Sequence, residues 1–324
     1  MIIVISLKSK KLKKVLKGIG VAIIIYITFS ILATMLVHNF VFKRYDGRAS
    51  ESFFSKKDSR GVSQTSFSYR CGGNVLKGYL YCGGESADGL IVFAPGFRSQ
   101  IFDYEGVVYA FLQEGFDVFV FDPTGHGQSG GKSSVGFAQI IKDIDATLEF
   151  INNNKNFEYS DIFLLGHSRG GYGVCCTMNS HPDVTAAVSV NGADTSMDAI
   201  MAYSVGYIGP IAYVNYPFLS LYQDIVFGRE ISDKSAIKEI DKSHIPVLVI
   251  HAENDNQIPK DKYSIYSNRG KTNSRNAEFL LYNKNGYNEH NTIFCDESNK
   301  INYDVVKIIS EFYKQKTNDK GLSK

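Results

Sequence analysis

Three short apolar runs, Leu90–Ala94, Val118–Phe121 and Ile162–Leu165, each lead into a loop and then into a stretch with helical spacing. A strand without polar alternation must be covered on both faces. Regular alternation with helices supplies that cover, so the pattern demands a mostly parallel sheet between two helical layers. Val184–Val190, Val247–Ile250 and Glu278–Leu281 extend the series. A strand pair, Thr65–Arg70 and Val75–Tyr81, precedes it across the turn at Gly72-Gly73, and an amphipathic helix over Ile301–Tyr313 closes it. With 324 residues, 44% of them hydrophobic, there is ample material for one such α/β domain, and disorder, collagen and a disulfide-stapled mini-protein are excluded.

The alternation breaks once. More than fifty residues separate Val190 from Pro246, too many for a simple crossover, and they carry Tyr203, Tyr207, Tyr213, Tyr216, Phe218, Tyr222 and Phe227. This segment, 191–243, is expected to form a cap of short helices over one end of the sheet. Most of its aromatic residues are expected to pack the cap onto the domain, and any that face the site favour an apolar or acyl substrate.

The chemistry concentrates at strand ends. Gly166-His167-Ser168-Arg169-Gly170 has the form G-x-S-x-G, directly after an apolar strand and before a helix. That is the setting of a nucleophile elbow, in which serine occupies a sharp, strained turn and the flanking glycines avoid Cβ clashes. A serine hydroxyl is a poor nucleophile and needs a base, which in turn needs an orienting acid. Asp255 follows the strand Val247–Ile250, and His290 lies in the loop after the strand ending at Leu281-Tyr282. The order Ser168, Asp255, His290 matches the order of the triad in α/β-hydrolases, with each residue at the carboxyl edge of a parallel strand. Asp194, after Val184–Val190, is a rival acid. His126, His167 and His251 read as structural, Glu253 and Asp261 as solvated loop charges. Arg169 has two open roles, as a backbone donor and through a side chain that reaches a substrate anion.

From about residue 63 to 316 the chain resembles the α/β-hydrolase superfamily. It is most similar to bacterial membrane-anchored members related to serine aminopeptidases, lysophospholipases and prolyl-oligopeptidase-type esterases. The resemblance is carried by Ala94-Pro95-Gly96-Phe97, by Asp122 through Gly131, by the Ser168 motif, by Asp255 through Pro259 and by His290. It implies an eight-stranded, mostly parallel sheet with helices on both faces and a small helical cap. It also implies Ser168 as nucleophile, His290 as base, Asp255 as acid, and an oxyanion hole from the backbone N–H groups of Phe97 and Arg169. Pro95 stands where that loop usually has histidine. The expected activity is a serine hydrolase cleaving carboxylic esters of small-molecule or lipid-like substrates, with no metal and no organic cofactor. The alternatives are a serine aminopeptidase-like peptidase, with Glu230 or Asp224 holding a peptide terminus, an acyltransferase, or an inactive surface-anchored binding module.

The amino-terminal part is of another kind. Gly18 to Phe42 contains no Asp, Glu, Lys or Arg. As a helix that run rises about 37 Å, enough to cross a hydrocarbon layer of roughly 30 Å. Six lysines precede it, which puts residues 1–17 in the cytoplasm and the rest of the chain outside. No small-x-small cleavage site follows, so the expectation is an uncleaved single-pass anchor over 18–42, a linker over 43–62, the catalytic domain over 63–316 and a polar tail over 317–324. From Ala49 onward acidic residues outnumber basic ones, 32 to 26, which argues against nucleic-acid binding. The five cysteines show no metal-ligand spacing. Cys71 and Cys82 fall too far apart along their hairpin to be bridged, so all five are expected as free thiols.

Overall fold

The structure is a computed structural model that describes residues 10–47, 53–56, 61–84 and 86–322. The start of the basic tail (1–9), the middle of the expected linker (48–52 and 57–60) and the end of the polar tail (323–324) lie outside the described residues.

Eight strands form one sheet: β1 (Ser63–Cys71), β2 (Asn74–Cys82), β3 (Leu90–Ala94), β4 (Asp117–Asp122), β5 (Ile162–His167), β6 (Val184–Val190), β7 (Val247–Ala252) and β8 (Ala277–Tyr282). Their order is β1-β2-β4-β3-β5-β6-β7-β8. β1, β2 and β4 pair antiparallel, and β3 through β8, together with the β3–β4 pair, are parallel. Cys71 pairs with Asn74 and Cys82 with Ser63 at the far end of the hairpin, so the two thiols cannot meet. All five cysteines are free.

The continuous apolar strands have the physical consequence their composition requires. Ile91, Phe93, Val118, Val120, Phe163 and Leu165 point to the face covered by α3 (Glu105–Gln113) and α10 (Tyr303–Leu322). Leu90, Val92, Ala94, Phe119 and Leu164 point to the face covered by α4 (Gln139–Asn152), α5 (Arg169–Thr177) and α9 (Ala236–Lys242). Each side chain thus alternates between two cores, and every residue of β3 is fully buried. Between β6 and β7 the expected cap is present. It comprises α6 (Ser196–Ile208), a 3-10 turn (Gly209–Asn215), α7 (Tyr216–Phe227), the short α8 (Arg229–Ser232) and α9.

Ahead of the sheet runs α1 (Lys10–Val41), followed by a short helix, α2 (Phe53–Lys56). Over Leu12–Val41, α1 is long and apolar enough to cross a membrane, by length and composition. Residues 43–47, at the start of the expected linker, are strapped to the loop after β4. Lys43 bridges to Ser133 and Tyr45 to His126. The Arg44 guanidinium donates to the carbonyls of Gly127 (2.6 Å), Ser129 (2.8 Å) and Gly131 (3.0 Å). Carbonyls that turn away from any ladder need donors, and one guanidinium fork supplies several.

Candidate active site

Ser168 sits between the last residue of β5 and the first of α5 at φ 55° and ψ −115°, a left-handed conformation that a residue with a Cβ rarely adopts. The neighbouring glycines make the turn possible. A Cβ on Gly166 would lie 2.2 Å from the Gly170 carbonyl oxygen, and one on Gly170 would lie 2.0 Å from that of Ala94. No side chain fits at either place, so the strand, the turn and the loop after β3 approach each other as bare backbone.

The Ser168 hydroxyl lies 2.9 Å from His290 Nε2, and His290 Nδ1 lies 2.7 Å from Asp255 Oδ2. The other carboxylate oxygen of Asp255 accepts from the backbone N–H of Gln257 (2.9 Å) and Ile258 (2.8 Å). Burial alone pushes the Asp255 carboxyl up. The charge and hydrogen bond of His290, with help from His251 and the Ile258 N–H, outweigh it and hold the group below its ordinary value. Asp255 is therefore ionised at neutral pH and fixes the ring so that Nε2 faces the serine. All three side chains are buried under the cap.

A second layer holds this chain in place. The His290 carbonyl accepts from Asn191 Nδ2 (3.0 Å) and contacts His167 Nε2 at 2.9 Å, so that nitrogen carries the proton. His167 Nδ1 is then the acceptor for the Tyr104 hydroxyl at 2.8 Å, and Tyr104 in turn accepts from the Gly96 N–H at 3.1 Å. Burial lowers His167 to about 3, which keeps it neutral and fixes its direction of donation. His167 was expected to be structural; it is the link between the His290 loop and the loop after β3. Tyr104 and Asn191 carry no motif; Asn191 directly follows β6, and Tyr104 immediately precedes α3.

The other expected groups are placed as follows. Among the described residues, neither the Phe97 nor the Arg169 N–H meets a protein acceptor, and both lie in the segments that flank Ser168. The Arg169 side chain is fully buried, with its charge 5.6 Å from the Phe97 ring and no hydrogen-bond partner for any guanidinium nitrogen. Burial lowers it to about 10, so it remains a cation. Asp194 is not brought to His290. Its carboxylate accepts from Ser235 Oγ (2.9 Å), the Ile237 N–H (2.8 Å) and Asn268 Nδ2 (2.7 Å), tying the cap to the sheet. His126 contacts the Thr124 carbonyl and accepts from the Arg98 N–H. His251 contacts the Ile258 carbonyl, 3.6 Å from Asp255. Asp224 bonds to Arg229 and Ser232 within the cap and has no approach to Ser168. A surface cleft of about 870 Å³ lies at the opposite end of the strands among Val184, Pro246 and Asn276, away from this chemistry.

The arrangement matches known proteins at two levels. A serine aminopeptidase (S33) family model matches residues 85–206. An esterase from Pyrococcus furiosus superposes with a TM-score of 0.61 at 19% identity, covering 85% of this chain and 98% of that one. The chain has the α/β-hydrolase fold. Among curated relatives, the human acylamino-acid-releasing enzyme is 25% identical over 164 residues, half of this chain but only 22% of that enzyme's length. The Bacillus subtilis protein YqkD is 24% identical over 263 residues, 76% of this chain and 83% of its own. In this fold Ser168, Asp255 and His290 follow β5, β7 and β8, at the carboxyl edge of the sheet, where open α/β sheets bind their ligands.

Proposed function

We propose that this chain is a membrane-anchored serine hydrolase that cleaves carboxylic esters through an acyl-enzyme. The hydrogen-bonded series from Ser168 Oγ through His290 to Asp255 carries this reading. His290 Nε2 takes the Ser168 proton as the oxygen attacks the ester carbonyl carbon, and the oxyanion is met by the N–H groups of Phe97 and Arg169. The C–O bond to the alcohol then breaks as His290 returns the proton to the leaving oxygen. Water, deprotonated by His290, attacks the acyl carbon. The acid departs and Ser168 regains its proton. An aromatic enclosure supports an apolar acyl group: Phe97 lies 5.0 Å from Phe137, and Phe137 stacks on Tyr203 at 5.8 Å. In this reading α1 spans the bilayer over 18–42 with its lysine-rich end in the cytoplasm, and the domain over 63–316, with its cap over 191–243, lies outside.

A second reading, a peptidase acting at the amino end of a peptide, is favoured by the family model and by the human relative's name. It uses the same acyl-enzyme and differs in the leaving group. Fluorophosphonate labelling of the full-length protein in detergent, with the adduct located by mass spectrometry, tests both. A stoichiometric adduct on Ser168 is expected, with Ser168→Ala lowering kcat by about four to six orders of magnitude and leaving the unfolding transition in place. Retained activity in Ser168→Ala overturns the assignment, and a preference for peptide amides over esters in the wild-type protein selects the second reading.

A further inference from the structure

The face that α1 presents to the cap is its polar one. Tyr26, Ser30, Thr34 and His38 recur every four residues and so form one stripe along the helix. Ser30, Thr34 and His38 are 1%, 5% and 6% exposed, while Ile24, Phe29, Leu36 and Phe40, which leave that stripe, are 65–71% exposed. The cap answers in kind. Tyr26 donates to the Val214 carbonyl at 3.1 Å and meets Phe218 edge-on at 5.8 Å, and His38 meets Tyr222 at 4.7 Å. On the cap itself Gln223 is fully buried, while Ile208, Ile211, Val214, Leu221 and Ile225 are exposed. Polar groups inside and large aliphatic ones outside is the reverse of a water-facing surface, and it is what a protein surrounded by lipid requires.

Depth follows from the same contacts. Counting from Lys17, the last charge before the uncharged run, about 20 helical residues span a hydrocarbon layer of roughly 30 Å, which puts the far boundary near Val37. Tyr26 and Ser30 lie within that layer, so Val214 and Phe218, which touch Tyr26, lie within it too. The cap sequence permits this, because from Ala199 to Gln223 there is no Asp, Glu, Lys or Arg. Past the boundary, Phe42 reaches Phe97 at 5.3 Å and Phe137 at 5.4 Å, and Arg98 donates to the Val41 carbonyl. The candidate site therefore begins where α1 leaves the hydrocarbon.

We propose that the exposed aliphatic face of the cap, from Ile208 to Leu221, is embedded among the phospholipid acyl chains of the leaflet that holds the Val41 end of α1. The proposal rests on the membrane-anchor reading above. The chain contains no tryptophan, so a single introduced one reports its own surroundings without background. Full-length single-tryptophan variants Ile211→Trp and Val214→Trp are reconstituted into phosphatidylcholine vesicles with or without brominated acyl chains. Leu32→Trp on the exposed side of α1 and Lys155→Trp in the exposed loop before β5, at the opposite end of the strands from the site, serve as references. The expected result is that brominated lipid quenches Ile211→Trp and Val214→Trp to at least half the extent of Leu32→Trp, with Lys155→Trp unaffected. Quenching of Leu32→Trp with both cap variants as insensitive to bromine as Lys155→Trp overturns the proposal while leaving the anchor standing. Failure to quench Leu32→Trp overturns the anchor reading and the proposal with it.

Discussion

At Asp255 burial and charge pull in opposite directions, and the balance decides the ionisation of the whole site. A carboxyl buried alone would take up a proton and release His290. Here two backbone N–H donors and the imidazole keep it charged, so the ring stays aimed at Ser168. Asp255→Asn keeps the volume but removes the acceptor that selects the tautomer, and kcat is expected to fall about 10⁴-fold, as for such substitutions in other triads. Asp194→Asn is expected to cost less than about tenfold in kcat while lowering the thermal midpoint, because its three hydrogen bonds hold the cap. Steady-state kinetics and thermal unfolding on the two variants check this, and the opposite ordering in kcat moves the acid to Asp194. The sequence left Asp194 as a rival because both residues follow a strand, and it favoured Asp255 through the resemblance carried by Asp255 to Pro259. In that loop the Gln257 and Ile258 N–H groups fold back onto one carboxylate oxygen, a local closure that the strand pattern alone does not reveal.

The strands and helices were legible because their physics is local to each segment. β3 through β7 are short, mostly apolar and buried along their whole length, and that pattern is satisfied only between two helical layers. The cap was legible as an insertion but its orientation was not. Tyr203 packs as expected against Phe137, whereas Tyr207 is 85% exposed and Tyr213 and Tyr216 also face outward. Hydrophobic patterning assumes water outside, an assumption that fails wherever the proposed lipid contact of the cap holds. The link between the loop after β3 and the His290 loop was equally hidden, because Tyr104 lies outside every motif. Tyr104→Phe removes one oxygen and leaves the Gly96 N–H and His167 Nδ1 without their partner, at a cost of about 1–3 kcal/mol. If the contact positions His290 and the Phe97 N–H, kcat is expected to drop about tenfold with KM unchanged, measured well below the unfolding temperature. An unchanged kcat beside a lowered unfolding midpoint assigns Tyr104 to stability alone.

For the molecule as a whole, closing so many imidazoles inside the domain makes its stability depend on pH. Burial lowers both His126 and His167 from the ordinary histidine value of 6.5 to about 3, and it lowers His251 as well. In the unfolded chain each of these rings binds a proton below about pH 6.5, whereas in the folded protein His126 and His167 do so only near pH 3. Between those limits the unfolded state holds more protons than the folded one, so stability rises with pH and is lost as pH falls. Each fully buried neutral histidine contributes a slope of up to about 1.4 kcal/mol per pH unit. Asp255 acts in the same direction but lower down. Its folded value is depressed, so its contribution is lost only as pH falls below the unfolded carboxylate value, about 3.9. The interval from pH 6.5 to 4.5 therefore separates the histidines from Asp255, while Asp122 and Asp198, both raised by burial, act in the opposite direction. Unfolding of the detergent-solubilised protein across that interval is expected to show a midpoint that declines steadily toward acid, with a net uptake of more than one proton on unfolding. Replacing His126 with asparagine, which keeps a polar group in the Thr124 loop but cannot titrate, is expected to flatten the slope. A midpoint independent of pH in that interval means the rings are protonated in the folded state, and His167 Nδ1 would then donate to the Tyr104 hydroxyl rather than accept from it.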